Sequence, residues 1–260
     1  MALFYRDKHS VELTPIGTVF AEDARKVMEQ YGRAMKHVQM SREGILGELE
    51  IITSRTLSAC FMYDFMIEFA QKYPHIKANV ELRENGLPAA QDILERRSDM
   101  AIIVDWPEIR SLPLKRRTFF KDQLYIVVSD SHPLAQRESV YVNELSGLPM
   151  IYFNQKENLC AAAHFEKLFA DHGAVYNPSI ITEGLETLFF KIISSQGISI
   201  ISEHVYKLIP PNIRAIRIAD DDAYIDVDLI WSPDNDNSSL PVFLHEFEKF
   251  TEKYNRRRHP

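Results

Sequence analysis

The segment "ELEIIT" (48–53) alternates between charged and apolar residues and then becomes wholly apolar. This change is typical of a strand that enters the interior of a sheet. A helix, a strand, a second helix and a third strand follow it, at 56–73, 78–84, near 88–97 and at 100–104. Short β-branched strands that alternate with helices of this length predict a mainly parallel sheet with helices on both faces, which makes the fold class α/β.

The same alternation resumes further along the chain. We expect strands at 124–128, 149–153, 179–182 and 197–202, and helices at 159–171 and 185–195. A strand at 225–231 and an amphipathic helix at 240–254 would return to complete the first unit. The sequence therefore predicts two lobes joined by two crossings, with lobe I at 46–124 and 227–255 and lobe II at 125–226.

A long helix is predicted ahead of these lobes, over 14–45. Thr14 can cap free amides and Pro15 suits the first helical position. One apolar stripe then recurs at steps of three and four through Ile16, Phe20, Val27, Tyr31, Met35 and Val38. The stripe could cover its own domain, but its length favours pairing with the same helix of a second subunit.

Composition and motifs exclude several classes of function. The 260 residues carry a formal charge of −7. The chain has two cysteines and no CxxC pair, and this cysteine content fits a reducing cytoplasm. The first twenty residues lack the apolar core of a signal peptide, and no uncharged stretch is long enough to cross a membrane. Since GxSxG, GxGxxG, Walker and HExxH patterns are absent, we expect no enzyme, no metal and no cofactor.

The segment "LFYRDKHSVELTPIG" (3–17) resembles the wing and the start of the linker helix in LysR-type transcriptional regulators. The matching residues are Leu3, Phe4, Arg6, Leu13, Thr14 and Gly17. Five further segments follow in the order of that family: "GELEI" (47–51), "FAQKYP" (69–74), "DMAII" (99–103), "HPLA" (132–135) and "QGISII" (196–201). The resemblance implies a two-lobed, periplasmic-binding-protein-like (type 2) effector domain, preceded by a long dimerisation helix.

In that family the DNA recognition helix of the winged helix-turn-helix precedes the wing, whereas only two residues precede Leu3 here. Residues 1–13 are therefore expected to be a remnant of that domain, and DNA to be bound only through the missing part. The chain would be shortened, or begin at a late start codon, or have lost DNA recognition. On any of these alternatives, this chain alone should show no sequence-specific DNA binding.

Candidate ligand-binding residues follow the predicted strands, because ligands of open α/β sheets collect at the carboxyl ends of strands. Ser54, Arg55 and Thr56 follow the first strand. By the resemblance, Thr56 stands where the family places a ligand-binding hydroxyl; it could also be a helix cap, and the two roles are compatible. Arg55 would add a cation to the pocket or point to solvent. Asn85 stands at a polar ligand-contacting position of the family, or is a turn residue.

Other candidates come from later strand ends and from the first crossing between lobes. Glu183 is alternatively a cap or a surface acid. The full set is Asp105, Trp106, Val128, Ser129, Asn154, Glu183 and Gly184. Free amides together with Arg55 would favour a small anion such as a carboxylated metabolite.

These expectations combine into one functional prediction. The chain would be the small-molecule-sensing and oligomerisation portion of a LysR-type regulator of transcription, acting as a homodimer or homotetramer. The alternative is a solute-binding protein of a transporter with the same two-lobed fold. The absence of a signal peptide and the presence of the striped helix disfavour that alternative.

Overall fold

The computed structural model describes residues 2–6, 11–42, 47–83, 86–153 and 159–258. The chain begins with a hairpin of two antiparallel strands, β1 (Phe4–Arg6) and β2 (Val11–Leu13), followed by the long helix α1 (Pro15–Arg42). The Thr14 hydroxyl caps this helix by accepting a hydrogen bond of 2.9 Å from the Gly17 amide. A Cβ on Gly17 would lie 2.0 Å from the Leu3 carbonyl oxygen, so glycine permits the hairpin to lie against the helix.

The first lobe is built around strands β3 (Gly47–Thr53), β4 (Ile76–Leu82) and β5 (Met100–Val104), which run parallel in the order β4-β3-β5. One continuous helical segment follows β3. It comprises α2 (Arg55–Leu57), a π-helical turn (Ser58–Met62) and α3 (Tyr63–Lys72). The helices α4 (Gly86–Leu94) and α5 (Pro107–Arg110) flank β5.

A fifteen-residue strand, β6 (Lys115–Ser129), belongs to the sheets of both lobes. Its residues 115–123 pair with β12 (Tyr224–Trp231), which lies antiparallel between β5 and β6. Its residues 124–129 pair with the second-lobe strands β10 (Ser199–Ser202) and β11 (Ile213–Ile218). The chain thus passes between the lobes along β6 and returns through the residues between β11 and β12.

The second lobe contains the remaining short elements. In chain order they are a 3-10 turn (Pro133–Gln136), β7 (Ser139–Val140), a 3-10 turn (Val142–Leu145), β8 (Ile151–Phe153), α6 (Leu159–Asp171), β9 (Ile180–Thr182), α7 (Leu185–Ile193) and, after β10, a 3-10 helix (Glu203–Leu208). β8 and β9 form a parallel pair, and β7 lies beside β11. The last helix, α8 (Ser239–Arg258), packs on the first lobe against α3.

Within the described ranges, three apolar clusters hold these layers together. The largest contains residues of both lobes, from Ile52 and Ile103 on the first to Phe169 and Ile216 on the second. A second cluster lies under α3 and α8, where the Phe65 ring centroid is 4.9 Å from that of Phe247. The third lies under α7. Burial of these side chains supplies the main favourable term in folding.

The sheet differs from the predicted one in strand direction. The expectation of a mainly parallel sheet is wrong, because β12 runs antiparallel to both β5 and β6, and β10 and β11 run antiparallel to β6. The strand expected at 124–128 is the end of a longer strand, and β11 was not predicted. Direction depends on a strand that returns from the other lobe, which local patterns do not record.

Candidate functional site

A cavity lies between the two lobes. The volume open to the centre of a water-sized sphere is about 160 Å³, which is many times what a single water molecule needs. Both lobes and the crossing strand contribute side chains to it. Its lining consists of Ser54, Thr56, Arg83, Gly86, Ile103, Val104, Trp106, Leu124, Ile151, Tyr152, Ala161, Phe165, Tyr176, Leu185, Leu188, Ser199, Ile200, Ile201, Ser202, His204, Val205 and Ile225.

Two hydroxyl groups enter the cavity from the first lobe, at the end of β3. The Ser54 hydroxyl accepts a hydrogen bond of 3.2 Å from the Leu57 amide, so Ser54 is the cap of α2. Thr56 is not the cap. Its Oγ1 lies 3.2 Å from Ser54 Oγ and 3.1 Å from Nε2 of His204, which belongs to the second lobe. The Thr56 hydroxyl therefore links the lobes across the cavity.

His204 is held from behind by a buried carboxylate. Asp122 lies on β6 and is fully buried, and its Oδ2 contacts Nδ1 of His204. The His204 amide donates to the same carboxylate, 3.2 Å to Oδ1 and 3.4 Å to Oδ2. Ser202 Oγ lies 3.0 Å from Nδ1. These contacts fix the ring so that Nε2 faces Thr56.

Aromatic and branched side chains form the rest of the wall. Trp106 and Tyr152 are each 7 % exposed. Tyr176 lies with its ring centroid 6.0 Å from that of Phe165, and burial raises the pKa of its phenol. Most of the lining is thus apolar, while the side chains of Ser54, Thr56, Ser202 and His204 form one connected hydrogen-bonding group, which is the usual composition of a small-molecule site.

Arg83 is the cation among the lining residues that the structure describes. It follows β4, and its guanidinium lies 2.8 Å from Glu81 and 3.5 Å from Asp92. Because its side chain is 45 % exposed, water screens these two pairs. The guanidinium therefore keeps part of its positive potential at the cavity.

The structure brings only part of the predicted set together. Ser54, Thr56 and Trp106 line the cavity, whereas Arg55 is exposed at the start of α2 and lies outside the lining. Asn85 and Asn154 lie outside the described residues.

Asp105 has a different role in the structure. Its carboxylate is buried, contacts the guanidinium of Arg110 and accepts a hydrogen bond of 3.0 Å from Arg116. Arg116 also donates to two backbone carbonyls, those of Ile109 and Arg110. These bonds tie α5 to β6, so Asp105 acts in the fold and does not line the cavity.

Four further candidates also lie outside the lining. Val128 is fully buried in the largest core cluster. The Ser129 hydroxyl lies 3.1 Å from that of Ser131. Glu183 is exposed, and Gly184 caps α7 with a φ of 87°, a backbone conformation that favours glycine.

The predicted stripe of α1 is exposed wherever its side chains are described. Ile16 is 49 % exposed, Phe20 56 %, Val27 67 %, Tyr31 61 % and Met35 53 %, and the Val38 side chain lies outside the description. Val19 and Met28 extend the same surface. The stripe does not fold back on the domain of its own chain over these positions.

Sequence reasoning missed several lining residues. Ser202 is the last residue of the predicted strand 197–202 and His204 lies two residues beyond it, so the strand-end rule that selected Ser54 and Thr56 would also have selected them. Arg83 stands within the predicted strand 78–84, near its end. Phe165 and Tyr176 gave no such signal, because their place depends on how α6 packs.

Two classes of site are absent from the described portion of the chain. No group of three histidine, cysteine, aspartate or glutamate side chains is arranged there to hold a metal ion. Among the described helices, none combines the length and the apolar character that crossing a bilayer requires.

Comparison with known proteins gives a consistent family. Residues 42–249 match the model of the LysR substrate binding domain. The chain is 28 % identical over 235 residues to the uncharacterized HTH-type transcriptional regulator YvbU of Bacillus subtilis (strain 168), covering 87 % of this chain and 75 % of that protein. It is 30 % identical over 145 residues to the HTH-type transcriptional regulator YtlI of the same organism, covering 55 % of this chain and 46 % of that protein.

Solved structures show the same fold. Full-length CbnR in complex with its target DNA superposes with a TM-score of 0.75 at 18 % identity, covering 92 % of this chain and 82 % of that one. The effector binding domain of BenM with its effector benzoate gives 0.67 at 17 % identity, covering 82 % of this chain and 94 % of that one. The predicted two-lobed, type 2 periplasmic-binding-like α/β fold is confirmed.

Both relatives are named as transcriptional regulators, so the predicted regulator is better supported than the transport protein. Because the family match spans most of its length, the chain belongs to the LysR substrate binding domain family.

Proposed function

We propose that this protein is the effector-sensing and subunit-pairing portion of a LysR-type transcriptional regulator, and that it works in the cytoplasm. The observation that carries the proposal is the cavity to which both lobes contribute hydrogen-bonding groups, Ser54 and Thr56 from one and Ser202 and His204 from the other. A ligand that contacts both sets would change the relative stability of the lobe arrangements. DNA would be contacted through the N-terminal domain of the full-length regulator.

The effector that best suits the cavity is a small carboxylate with an aromatic or branched apolar body. The apolar body would pack against the wall around Trp106 and Phe165. The carboxylate would bind the hydroxyls of Ser54, Thr56 and Ser202 together with Arg83. Benzoate, the effector of BenM, has this chemistry. Arg83 replaces Arg55 as the proposed cation, since only Arg83 lines the cavity.

Isothermal titration with benzoate, phenylacetate and hexanoate, each beside its neutral amide, tests this assignment. We expect at least one carboxylate to bind more tightly than its amide. Thr56→Val, which keeps the shape and removes the hydroxyl, should weaken that binding about tenfold, whereas Thr56→Ser should retain it. Failure of every carboxylate to bind would refute the proposed site.

Two exposed arginines provide a matched pair of variants. Arg83→Gln should weaken carboxylate binding and leave amide binding unchanged, because only the charged ligand uses the cation. Arg55→Gln removes a neighbouring charge outside the cavity and should change neither. Equal effects of the two variants would show that the arginines act only through the general field of the protein.

We also propose that α1 pairs with α1 of a second copy, giving a homodimer or, by a further contact, a homotetramer. Support comes from the apolar side chains that α1 leaves exposed along one stripe, including Phe20 and Val27. A 28-residue helix of this kind is poorly stable without a partner surface.

A further inference from the structure

We infer that His204, held by Asp122, sets the charge of the bound effector, so that a carboxylate enters the cavity together with one proton taken up by the imidazole. The inference rests on the proposed function, because it concerns the same cavity. It adds a specificity-determining residue on the second lobe and a proton to the binding reaction.

The carboxylate of Asp122 determines whether Nδ1 of His204 carries a proton. An ionised carboxylate can only accept hydrogen bonds, so Nδ1 must carry the proton that it donates to Asp122. Asp122 is fully buried and also receives the His204 amide at 3.2 Å. The ring is therefore held in one orientation, with its tautomer determined by the carboxylate behind it.

The protonation of Nε2 determines the direction of its hydrogen bond with Thr56. In the neutral ring Nε2 is only an acceptor, and it accepts the proton of the Thr56 hydroxyl across 3.1 Å. The hydroxyl then presents only lone pairs to the cavity. In the imidazolium Nε2 donates to Thr56, and the hydroxyl proton is free to donate to a ligand.

A carboxylate needs donors, and the Thr56 hydroxyl can donate to it only in the second arrangement. The charge balance acts in the same direction. With a neutral ring, Asp122 leaves a net negative charge buried beside the cavity, which opposes an anion. Protonation of the ring makes the pair neutral overall, and a buried pair is screened little by salt.

Several charged groups lie on the elements packed against the 3-10 helix that carries His204. They are Arg55 on α2, Lys115, Arg116, Arg117, Lys121 and Asp122 on β6, and Glu203 on the 3-10 helix itself, while Arg83 lines the same cavity. Lys121 lies over the Tyr224 ring, 4.0 Å from its centroid. Histidine ordinarily changes charge between pH 5 and 8, whereas arginine and lysine side chains do so well above that range.

The test is isothermal titration of the whole chain with benzoate, phenylacetate and hexanoate and with their amides, between pH 6 and 8.5. Each titration is done in phosphate and in Tris, whose different ionisation enthalpies report the number of protons exchanged. For the carboxylates we expect uptake of up to one proton, and a Kd that rises up to about tenfold per pH unit at the alkaline end. The amides, which donate and accept, should show neither.

Variants separate His204 from other histidines. His204→Gln should bind carboxylates with a Kd independent of pH. His172→Gln removes a surface imidazole that lies 2.8 Å from Asp222, and should keep the proton uptake of the parent chain. If His204→Gln does not fold, proton uptake that the parent chain shows and His172→Gln retains supports the inference, and its absence from the parent chain overturns it.

The outcomes distinguish this inference from the function on which it rests. Carboxylate binding without proton uptake, or uptake that persists in His204→Gln, overturns the role of His204 and leaves the effector site intact. Failure of all three carboxylates to bind at every pH overturns the proposed function, and the inference with it.

Discussion

Asp105 is a buried carboxylate that two guanidinium groups hold, those of Arg110 and Arg116. Removing one partner from such a cluster leaves uncompensated positive charge, so Asp105→Ala should lower the free energy of unfolding by about 3 kcal/mol. Asp23→Ala is the control, because its partner Lys26 lies at 3.3 Å with both side chains largely exposed, and its loss should cost less than about 0.5 kcal/mol. Urea denaturation of both variants measures the difference. Equal losses would contradict the structural role of Asp105.

Asp228 gives a residue-scale prediction about pH. It is fully buried on β12, and burial raises the pKa of its carboxyl above 3.8, with Asp105 and Asp226 adding to the rise. The folded chain therefore keeps this proton at a higher pH than the unfolded chain. Its favourable contribution is complete below the unfolded pKa and is lost as the pH rises through the folded pKa.

The asparagine of Asp228→Asn is neutral at every pH, so the variant does not lose stability as the pH rises through the folded pKa of this carboxyl. The free energy of unfolding of the variant, relative to the parent chain, should therefore increase from pH 4.5 to pH 7.5 in urea titrations. Asp234→Asn, at an exposed position, should show no such trend. A relative stability of Asp228→Asn that falls with pH would reverse the sign and refute this account.

The residues of the site differ in how far sequence could predict them. Ser54 and Thr56 could be predicted because they lie within three residues of the end of a strand, and Ser202 and His204 lie equally near the end of the predicted strand 197–202. The pairing of His204 with Asp122 had no local signal, because these residues are 82 positions apart and meet only when β6 joins both sheets. The carboxylate itself stands in a charged stretch, "KDQ" (121–123), which gave no sign of burial.

At the scale of elements, α1 was predicted from its start at Pro15, and its stripe is exposed where described. If the stripe joins two copies, Val27→Asp should convert a dimer or tetramer into smaller species in size-exclusion chromatography with light scattering, because burying an unpaired carboxylate is costly. Arg25→Asp introduces the same residue on the opposite face of the helix and should leave the oligomer intact. Disruption by both variants to the same extent would contradict pairing through the stripe.

Element identity was predictable where the pattern is local and strong. The strand predicted at 100–104 and the helix predicted at about 159–171 agree with β5 and α6. Strand direction was not predictable, since β12 enters between β5 and β6 only after the chain has built the second lobe. The first half of β6 was hidden by its charges, which are tolerated because several of those side chains are exposed.

At the scale of the whole molecule, β6 joins the two lobes as one uninterrupted strand. Asp122 lies near the point where the pairing of β6 changes from β12 to the second-lobe strands. The carboxylate that holds His204 therefore belongs to the strand that connects the lobes. Thr56 and His204 then meet across the cavity at 3.1 Å. An effector that displaces or reinforces this contact would act on both lobes at once.

Hydrogen exchange measured by mass spectrometry can test whether binding acts on both lobes. With the tightest-binding carboxylate of the panel at 100 times its Kd, the folded chain gains about 2.7 kcal/mol, so amides that exchange by global unfolding should slow about a hundredfold.

Beyond that common gain, we expect extra protection in peptides covering 54–58 and in peptides covering 199–205. The first set reports Ser54 and Thr56 and the second reports Ser202 and His204. Peptides of α8, which contributes no residue to the lining of the cavity, serve as the reference. Extra protection in one set alone would mean that the ligand binds a single lobe, and the coupling of lobes by the effector would then be wrong.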